Sequence, residues 1–469
     1  MDYLFYDLET SGLSKEFDQI FQFAAIRTDS ELNVIGEPIE LFCKLRPDLL
    51  PSPHAIRVNQ VDVRELNAKG LREFEFAKRV EETLLGNGNQ CIVGYNSSSF
   101  DDELIRYLLY RNLLPPYDWT WRAGNSCLDL YSVVCLAYSF NRMDKLKVND
   151  GLGADSLKLE NLAKYNELIH EQSHDAVSDV RATIQLARLI RETSPKLFDH
   201  ALGLRDRDKV RKIVSGEGIF CHSCSTNGYE KRFLSLHRNI CDHPTITNSV
   251  IAWNLSCEPA SVLNLSADEI RDRKYAKGGD RTINIGFEEF KTNKRPMVVP
   301  YWAEVASIAT DYELCTSNLR LVCADLSRLA DLAKAVFTSE IPTRELDADL
   351  YVGFFEDADV DQNQLRICRI DPSMFDHMKF QTQRFKRQLR RLKARNFPEA
   401  LSPADRDASE EWLQTKLNTR ETDRWLCWDA FKEELQEAFE FEGLTERQAH
   451  CLTTLRECIA ERDGQRVQM

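Results

Sequence analysis

The chain has 469 residues, too many for one ordinary hydrophobic core, so two or three domains are expected. Its 43% apolar and 29% charged residues describe an ordinary globular protein, and no run approaches the roughly 18 apolar residues of a membrane span. A formal charge of −14 excludes a protein that simply coats nucleic acid, while leaving room for a local basic groove.

The N-terminus enters a strand at once, "YLFYDL", with no basic stretch followed by an apolar signal segment, so a cytoplasmic location is expected. The 14 cysteines are scattered through apolar segments, as at Cys91, Cys135 and Cys323, and read as reduced, mostly buried thiols. "IFQFAAIRTD" reads as a second strand, and "LNVIGEPIELFCKL" as a turn leading into a third. Helical spacing follows over residues 71–85, then a short buried strand, "CIVGYN", over 91–96. "FDDELIRYLLYRNLL" is an amphipathic helix that Pro115 and Pro116 stop, and residues 173–193 form a strong helix followed by Pro195. Strands first, then strand and helix alternating, predict a mixed α/β sheet flanked by helices over residues 1–194.

From about residue 200 the texture changes. "SVIAWNL", "RTINIGF" and "RPMVVPYW" are short apolar strings separated by turn residues, which predicts a small β-rich domain over 195–349, with a helical stretch around 316–338. Residues 350–469 read as helical and heavily charged, as in "FQTQRFKRQLRRLKARNF".

Acidic residues recur at the ends of the apolar elements of the first domain. Asp7 and Glu9 alternate on the first strand and so point to one face, where two like charges cost free energy unless something offsets them. Asp101 and Asp102 open a helix directly after "GYNSSSF", and His174, Asp175 and Asp179 open the last helix of the domain. Carboxylates gathered from separate elements hold one or two hard divalent cations, and two such ions about 4 Å apart serve phosphoryl chemistry. A neutral imidazole at His174 is placed to take the proton of an attacking water. Taken singly, each acid also has a structural reading: Asp101 as a helix N-cap, Asp175 and Asp179 as first-turn acids favoured by the helix dipole. No cap accounts for Asp7 and Glu9 on one strand face.

D-x-E-T near the N-terminus, then "YNSSSFDDE", then "HDAVSD" with its H-x4-D spacing, resembles the DEDD exonuclease superfamily in its histidine variant. "FQFAAIRTDSELNVIGEP", "YVGFFEDAD" and "KARNFP" extend the resemblance across essentially the full chain to the bacterial exodeoxyribonuclease I family. The resemblance implies a ribonuclease H-like exonuclease domain, then an SH3-like domain, then a C-terminal helical domain, closing around a strand-sized channel. It makes Asp7, Glu9, Asp101 and Asp179 the ligands of two Mg2+ ions, for which Mn2+ substitutes, and His174 the general base. Asp102 and Asp175 adjoin motif positions and are left as structural. The implied reaction is stepwise 3′-to-5′ hydrolysis of single-stranded DNA to nucleoside 5′-monophosphates, with a role in DNA repair and recombination. The acidic C-terminal tail of single-stranded DNA-binding protein is the implied partner, and a monomer is expected. An RNA exonuclease, or a DNA-binding module with a dead site, are the competing readings; the intact acids and His174 weigh against the second.

A single strand is held by cations along its backbone and aromatic rings against its bases. By the same resemblance, Glu9 and Thr10 seat the terminal nucleotide, and Arg106, Tyr117, Trp121, Lys158 and Arg207 contact the strand. Lys158 stands where better-known members carry arginine and so lacks a bidentate fork. Tyr110 and Trp119 are expected to pack the domain instead. The run Arg384, Lys386, Arg387, Arg390, Arg391, Lys393, Arg395 reads either as a strand-facing patch or as a solvated helix face.

Cys221, Cys224, His237 and His243 have the C-x2-C-x12-H-x5-H spacing of a zinc finger. Against zinc stand Gly228 in place of the usual aromatic, a strand-like setting for His237, and a family without a structural metal in this domain. "DADVDQN", 357–363, lacks the Gly and terminal Glu of a calcium loop and reads as a solvated turn.

Overall fold

The computed structural model describes residues 1–141, 146–151, 153–168, 175–275, 285–301, 305–338, 345–351, 374–375, 383–420 and 424–463. His174, "DADVDQN" and all but the first residue of "YVGFFEDAD" lie outside the described residues. The chain forms two compact units. One combines residues 1–127, 169–184 and 342–469; the other combines 128–168 and 185–341.

The first unit is built on a mixed sheet of order β3-β2-β1-β4-β5. β1 (Asp2–Thr10) pairs antiparallel with β2 (Ile20–Thr28), which pairs with β3 (Val34–Phe42); on its other side β1 runs parallel to β4 (Gln90–Gly94). β5 (Ser126–Asp129) runs over the boundary between the units. β1 and β2 are covered on both faces, which their near-continuous apolar runs require. One face packs Leu4, Tyr6 and Leu8 against Phe76, Val80 and Leu84 of helix Glu73–Leu85 and Leu104 and Leu108 of helix Asp101–Arg111. A second core joins Phe21, Ile56 and Val63 to Phe431 and Leu435 of helix Trp428–Phe439 and Leu452 and Leu455 of helix Glu446–Asp463. Helices Pro53–Asn59 and Val63–Lys69, capped by Ser52 and Asp62, are too short to show a clear period in the sequence.

The basic run lies on helix Gln383–Asn396 and fits neither reading as a whole. Arg391, Lys393 and Arg395 are buried, and Arg395 binds Asp48 and Asp347 at 2.8 and 2.6 Å. Exposed Arg390 binds Asp405 at 2.7 Å. Two of the seven are thus spent inside the protein on carboxylates: Arg391 on Glu345 and Asp347, and Arg395 on Asp347 and Asp48.

The second unit holds an antiparallel sheet of order β10-β6-β7-β8-β9, comprising β6 (Ile219–Ser223), β7 (Leu234–Asp242), β8 (Ser249–Asn254), β9 (Phe287–Lys291) and β10 (Met297–Pro300). β9 begins at the last residue of "RTINIGF", whose residues 281–284 lie outside the described residues. Helices Leu130–Ser139 and Leu326–Phe337 pack on this sheet. The four residues of the zinc spacing are not gathered. Cys221 pairs with Leu236 and His237 with Phe220, so alternation sends the two side chains to opposite faces. His237 Nε2 meets Glu288 at 2.9 Å, and His243 Nδ1 accepts the Thr245 and Ile246 N–H groups at 3.2 and 3.1 Å. Among the described residues, no helix is long and apolar enough to cross a membrane.

Candidate active site

β1 carries Asp7 opposite Ala24 and Glu9 opposite Gln22, and its register with β2 shifts between Glu9 and Thr10. That irregularity ends the regular ladder where the two acids need to reach outward. Helix Ala176–Thr193 brings Asp179 to them. One carboxylate oxygen of each of Asp7, Glu9 and Asp179 lies within 4.8 Å of the others, and all three residues are half-buried. Among the described residues this is the one such group of metal-binding side chains.

The electrostatics match the geometry. Removal from water, then Asp179, Asp101, Glu9 and Asp175, hold the Asp7 carboxyl well above the usual carboxylate range. Glu9 is pushed up to about 9 by the same burial and by Asp179, Asp101 and Asp175. The charges acting most strongly on both acids are thus themselves acidic. Oxygen-only donors under this mutual repulsion suit a hard divalent cation, which turns the repulsion into attraction.

Asp101 is the first residue of helix Asp101–Arg111, and its charge acts on Asp7 and Glu9, although it stands outside the closest three. The capping reading of Asp101 does not hold: Phe100 occupies the N-cap position, with no side-chain cap bond. Asp175 does act as a cap, accepting the Ser178 N–H at 3.2 Å, and Gln22 Nε2 donates to it at 3.3 Å. Asp102 is buried and accepts a 2.6 Å hydrogen bond from Tyr6 Oη.

Thr10 is buried beside Glu9, its Oγ1 donating to Gly12 O at 3.0 Å while its carbonyl accepts from Asn59 Nδ2 at 2.9 Å. Next to the acids opens a cleft of about 630 Å3, lined by Gln22, Phe42, Asn59, Asp175 and Arg447 among others. Sequence reading missed Gln22 and Asn59, which carry no motif of their own. Of the aromatic residues, Trp121 is 62% exposed and Trp119 fully buried, with Tyr110 also buried, so the latter two pack the domain. Tyr117 is half-buried beside Tyr351, their ring centroids 6.3 Å apart. Arg106 is buried, its guanidinium on Glu103 and 3.7 Å from Asp102. Lys158 and Arg207 are exposed residues of the second unit, at the N-cap and the first position of short helices.

Acids converging on one end of a mixed sheet beside an open cleft define a nuclease that depends on divalent metal. Family models match the chain in three blocks: an exonuclease over residues 4–187, an exonuclease I SH3-like domain over 205–339, and an exonuclease I C-terminal domain over 344–461. Exodeoxyribonuclease I of Haemophilus influenzae is 33% identical over 431 residues, covering 88% of this chain and 90% of the relative. The E. coli exonuclease I–single-stranded DNA complex with bound zinc superposes with a TM-score of 0.87 at 31% identity, over 98% of this chain and 99% of that one. A structure of SSB/exonuclease I with an inhibitor gives 0.85 at 29% identity, over the same shares of 98% and 99%. This chain belongs to the exodeoxyribonuclease I family, with an exonuclease domain, an SH3-like domain and a helical C-terminal domain.

Proposed function

We propose that the chain removes nucleotides from the 3′ end of single-stranded DNA, releasing nucleoside 5′-monophosphates. The convergence of Asp7, Glu9 and Asp179 within 4.8 Å is the observation that carries this reading. These three and Asp101 would hold two divalent ions, Mg2+ with Mn2+ as substitute. When bound, such ions supply the Lewis acidity that makes water a nucleophile and neutralises the leaving oxygen. His174, five residues before Asp179, takes the proton of that water as general base. Thr10 and Glu9 orient the terminal nucleotide, and the adjoining cleft falls within the range of about 300–1,000 Å3 common for small-ligand sites. Tyr117 and Trp121 stack on bases, while the exposed Lys158 and Arg207 answer the phosphates; Arg106, buried on Glu103 and Asp102, serves the fold instead of the strand contact implied by resemblance.

The E. coli relative was solved with single-stranded DNA, and another exonuclease I with SSB. The first supports single-stranded DNA as the substrate and the second a meeting with single-stranded DNA-binding protein, through its acidic tail in this reading; a cytoplasmic role in repair and recombination, with the chain acting as a monomer, completes the proposal. The test offers 3′-labelled single-stranded DNA, duplex DNA and RNA with Mg2+ or with chelator. Release of labelled mononucleotide from single-stranded DNA, only with metal, is expected. Cleavage in chelator, or faster cleavage of RNA, overturns the reading.

A further inference from the structure

Asp101 poses a mechanical problem. It sits on the first turn of its helix, where Phe100 holds the N-cap position and makes no side-chain cap bond. The turn that presents this carboxylate is held from another element as well.

The anchor is visible one residue away on each side. Asp102, next to Asp101, accepts a 2.6 Å hydrogen bond from the phenol of Tyr6, next to Asp7 on β1. The bond thus ties the two ligand-bearing backbones together at a distance of one residue from each ligand. Both partners are buried, Tyr6 at 2% and Asp102 at 6% exposure. The Tyr6 ring is wedged: it stacks on Phe23 with centroids 6.1 Å apart, and a Cβ built on Gly94 would come within 3.3 Å of its Cε1. Arg106 closes the far side of Asp102 at 3.7 Å and binds Glu103, which also accepts from the Tyr351 hydroxyl. A fixed ring aims a fixed hydroxyl, and a buried charged acceptor makes that bond one of the stronger kind.

We propose that Tyr6 and Asp102 are positioning residues for Asp101, locking the first turn of its helix to β1 and thereby setting where its carboxylate stands relative to Asp7 and Glu9. This rests on the reading of Asp101 as a metal ligand. Neither residue touches an ion or the substrate; both act through the backbone they hold.

The test is calorimetric titration of the intact protein with Mn2+, beside its metal-free melting temperature. Tyr6→Phe is expected to weaken one of two Mn2+ binding events about tenfold, as loss of an outer partner does in other metal sites, and to leave the second event unchanged. Asp102→Asn, which keeps an acceptor oxygen for Tyr6, should retain most of the affinity that Asp102→Leu loses. Should Tyr6→Phe fail to fold, the two Asp102 variants carry the same comparison. If the variants lower the metal-free melting temperature while both Mn2+ events stay as in wild type, the bond is merely structural and the proposal fails. Asp101→Asn separates the two readings: if it leaves both events unchanged, Asp101 is not a ligand, and the premise itself falls.

Discussion

Asp48 and Arg395 stand 347 positions apart in the chain and meet at 2.8 Å, each side chain only 1% exposed. Asp48 also takes Lys416 Nζ at 2.8 Å, and Arg46 lies 3.3 Å from Asp48 and 3.2 Å from Glu73, which Arg111 reaches at 2.9 Å. Charges buried this deeply are tolerated because each has partners of opposite sign, and removing one strands the others. Asp48→Ala is therefore expected to cost about 3–5 kcal/mol in urea unfolding. The exposed pair Arg420–Glu433 is the control, and breaking it should leave the unfolding midpoint at the wild-type value.

The same cluster sets an acid limit on stability. Burial alone would raise Asp347, but Arg395 and Arg391 outweigh it and hold its carboxyl well below the usual range; Arg395, Arg46 and Lys416 do the same for Asp48. The folded state then binds fewer protons than the unfolded chain, so this stabilisation is complete above an unfolded value near 4 and is lost as pH falls through the native one. Asp347→Asn should flatten that limb. Between about pH 5 and about pH 3 its melting temperature should fall less than that of wild type. An equal fall would mean the cluster does not govern acid stability.

At Glu9 the sign is opposite. With its folded value at about 9 against an ordinary 4.5, the metal-free protein keeps a proton there that the unfolded chain has released. Metal-free stability should decline as pH rises across that window. Glu9→Gln removes the penalty. In chelator at mildly alkaline pH it should melt above wild type, yet lose the rise in melting temperature that Mg2+ gives wild type. A variant that melts no higher than wild type in chelator would show that Glu9 is not held under repulsion.

Trp119 and Trp121 are two positions apart and differ completely in environment. Trp121, 62% exposed, is free to take a base: Trp121→Ala should weaken binding of single-stranded DNA by about 1–3 kcal/mol with an unchanged melting temperature. Trp119, fully buried with its Nε1 donating to Pro116 O at 3.1 Å, should cost about 3–5 kcal/mol of folding stability when cut to alanine. Fluorescence titration and thermal unfolding of both variants separate the roles.

The acids of the site were legible because strand alternation makes Asp7 and Glu9 anomalous, and a helix start makes Asp179 easy to place. The charged cluster was not legible. Asp48 and Glu73 look like ordinary surface charges, while Arg111, interleaved with aromatic residues, and the dense run from Arg384 to Arg395 invite a nucleic-acid reading. Only the fold reveals that Arg391 and Arg395 turn inward to meet Glu345 and Asp347, and that Arg395 also reaches Asp48, 347 positions away. Tyr6 and Asp102 were hidden for a related reason, since a tyrosine on a buried strand reads as packing until its hydroxyl has a partner.

The first unit is stitched from three separate stretches of chain: 1–127, 169–184 and 342–469. On a ribosome the stretch bearing Asp7, Glu9 and Asp101 emerges first, Asp179 later, and the helices bearing Arg395 and Lys416 later still. Until those helices arrive, Asp48 lacks two of its cations and the first unit is incomplete. Nucleolytic competence is therefore a late event in the life of the polypeptide. A half-made copy, surrounded by the cell's nucleic acids, already holds most of its blades but has no handle to set them in.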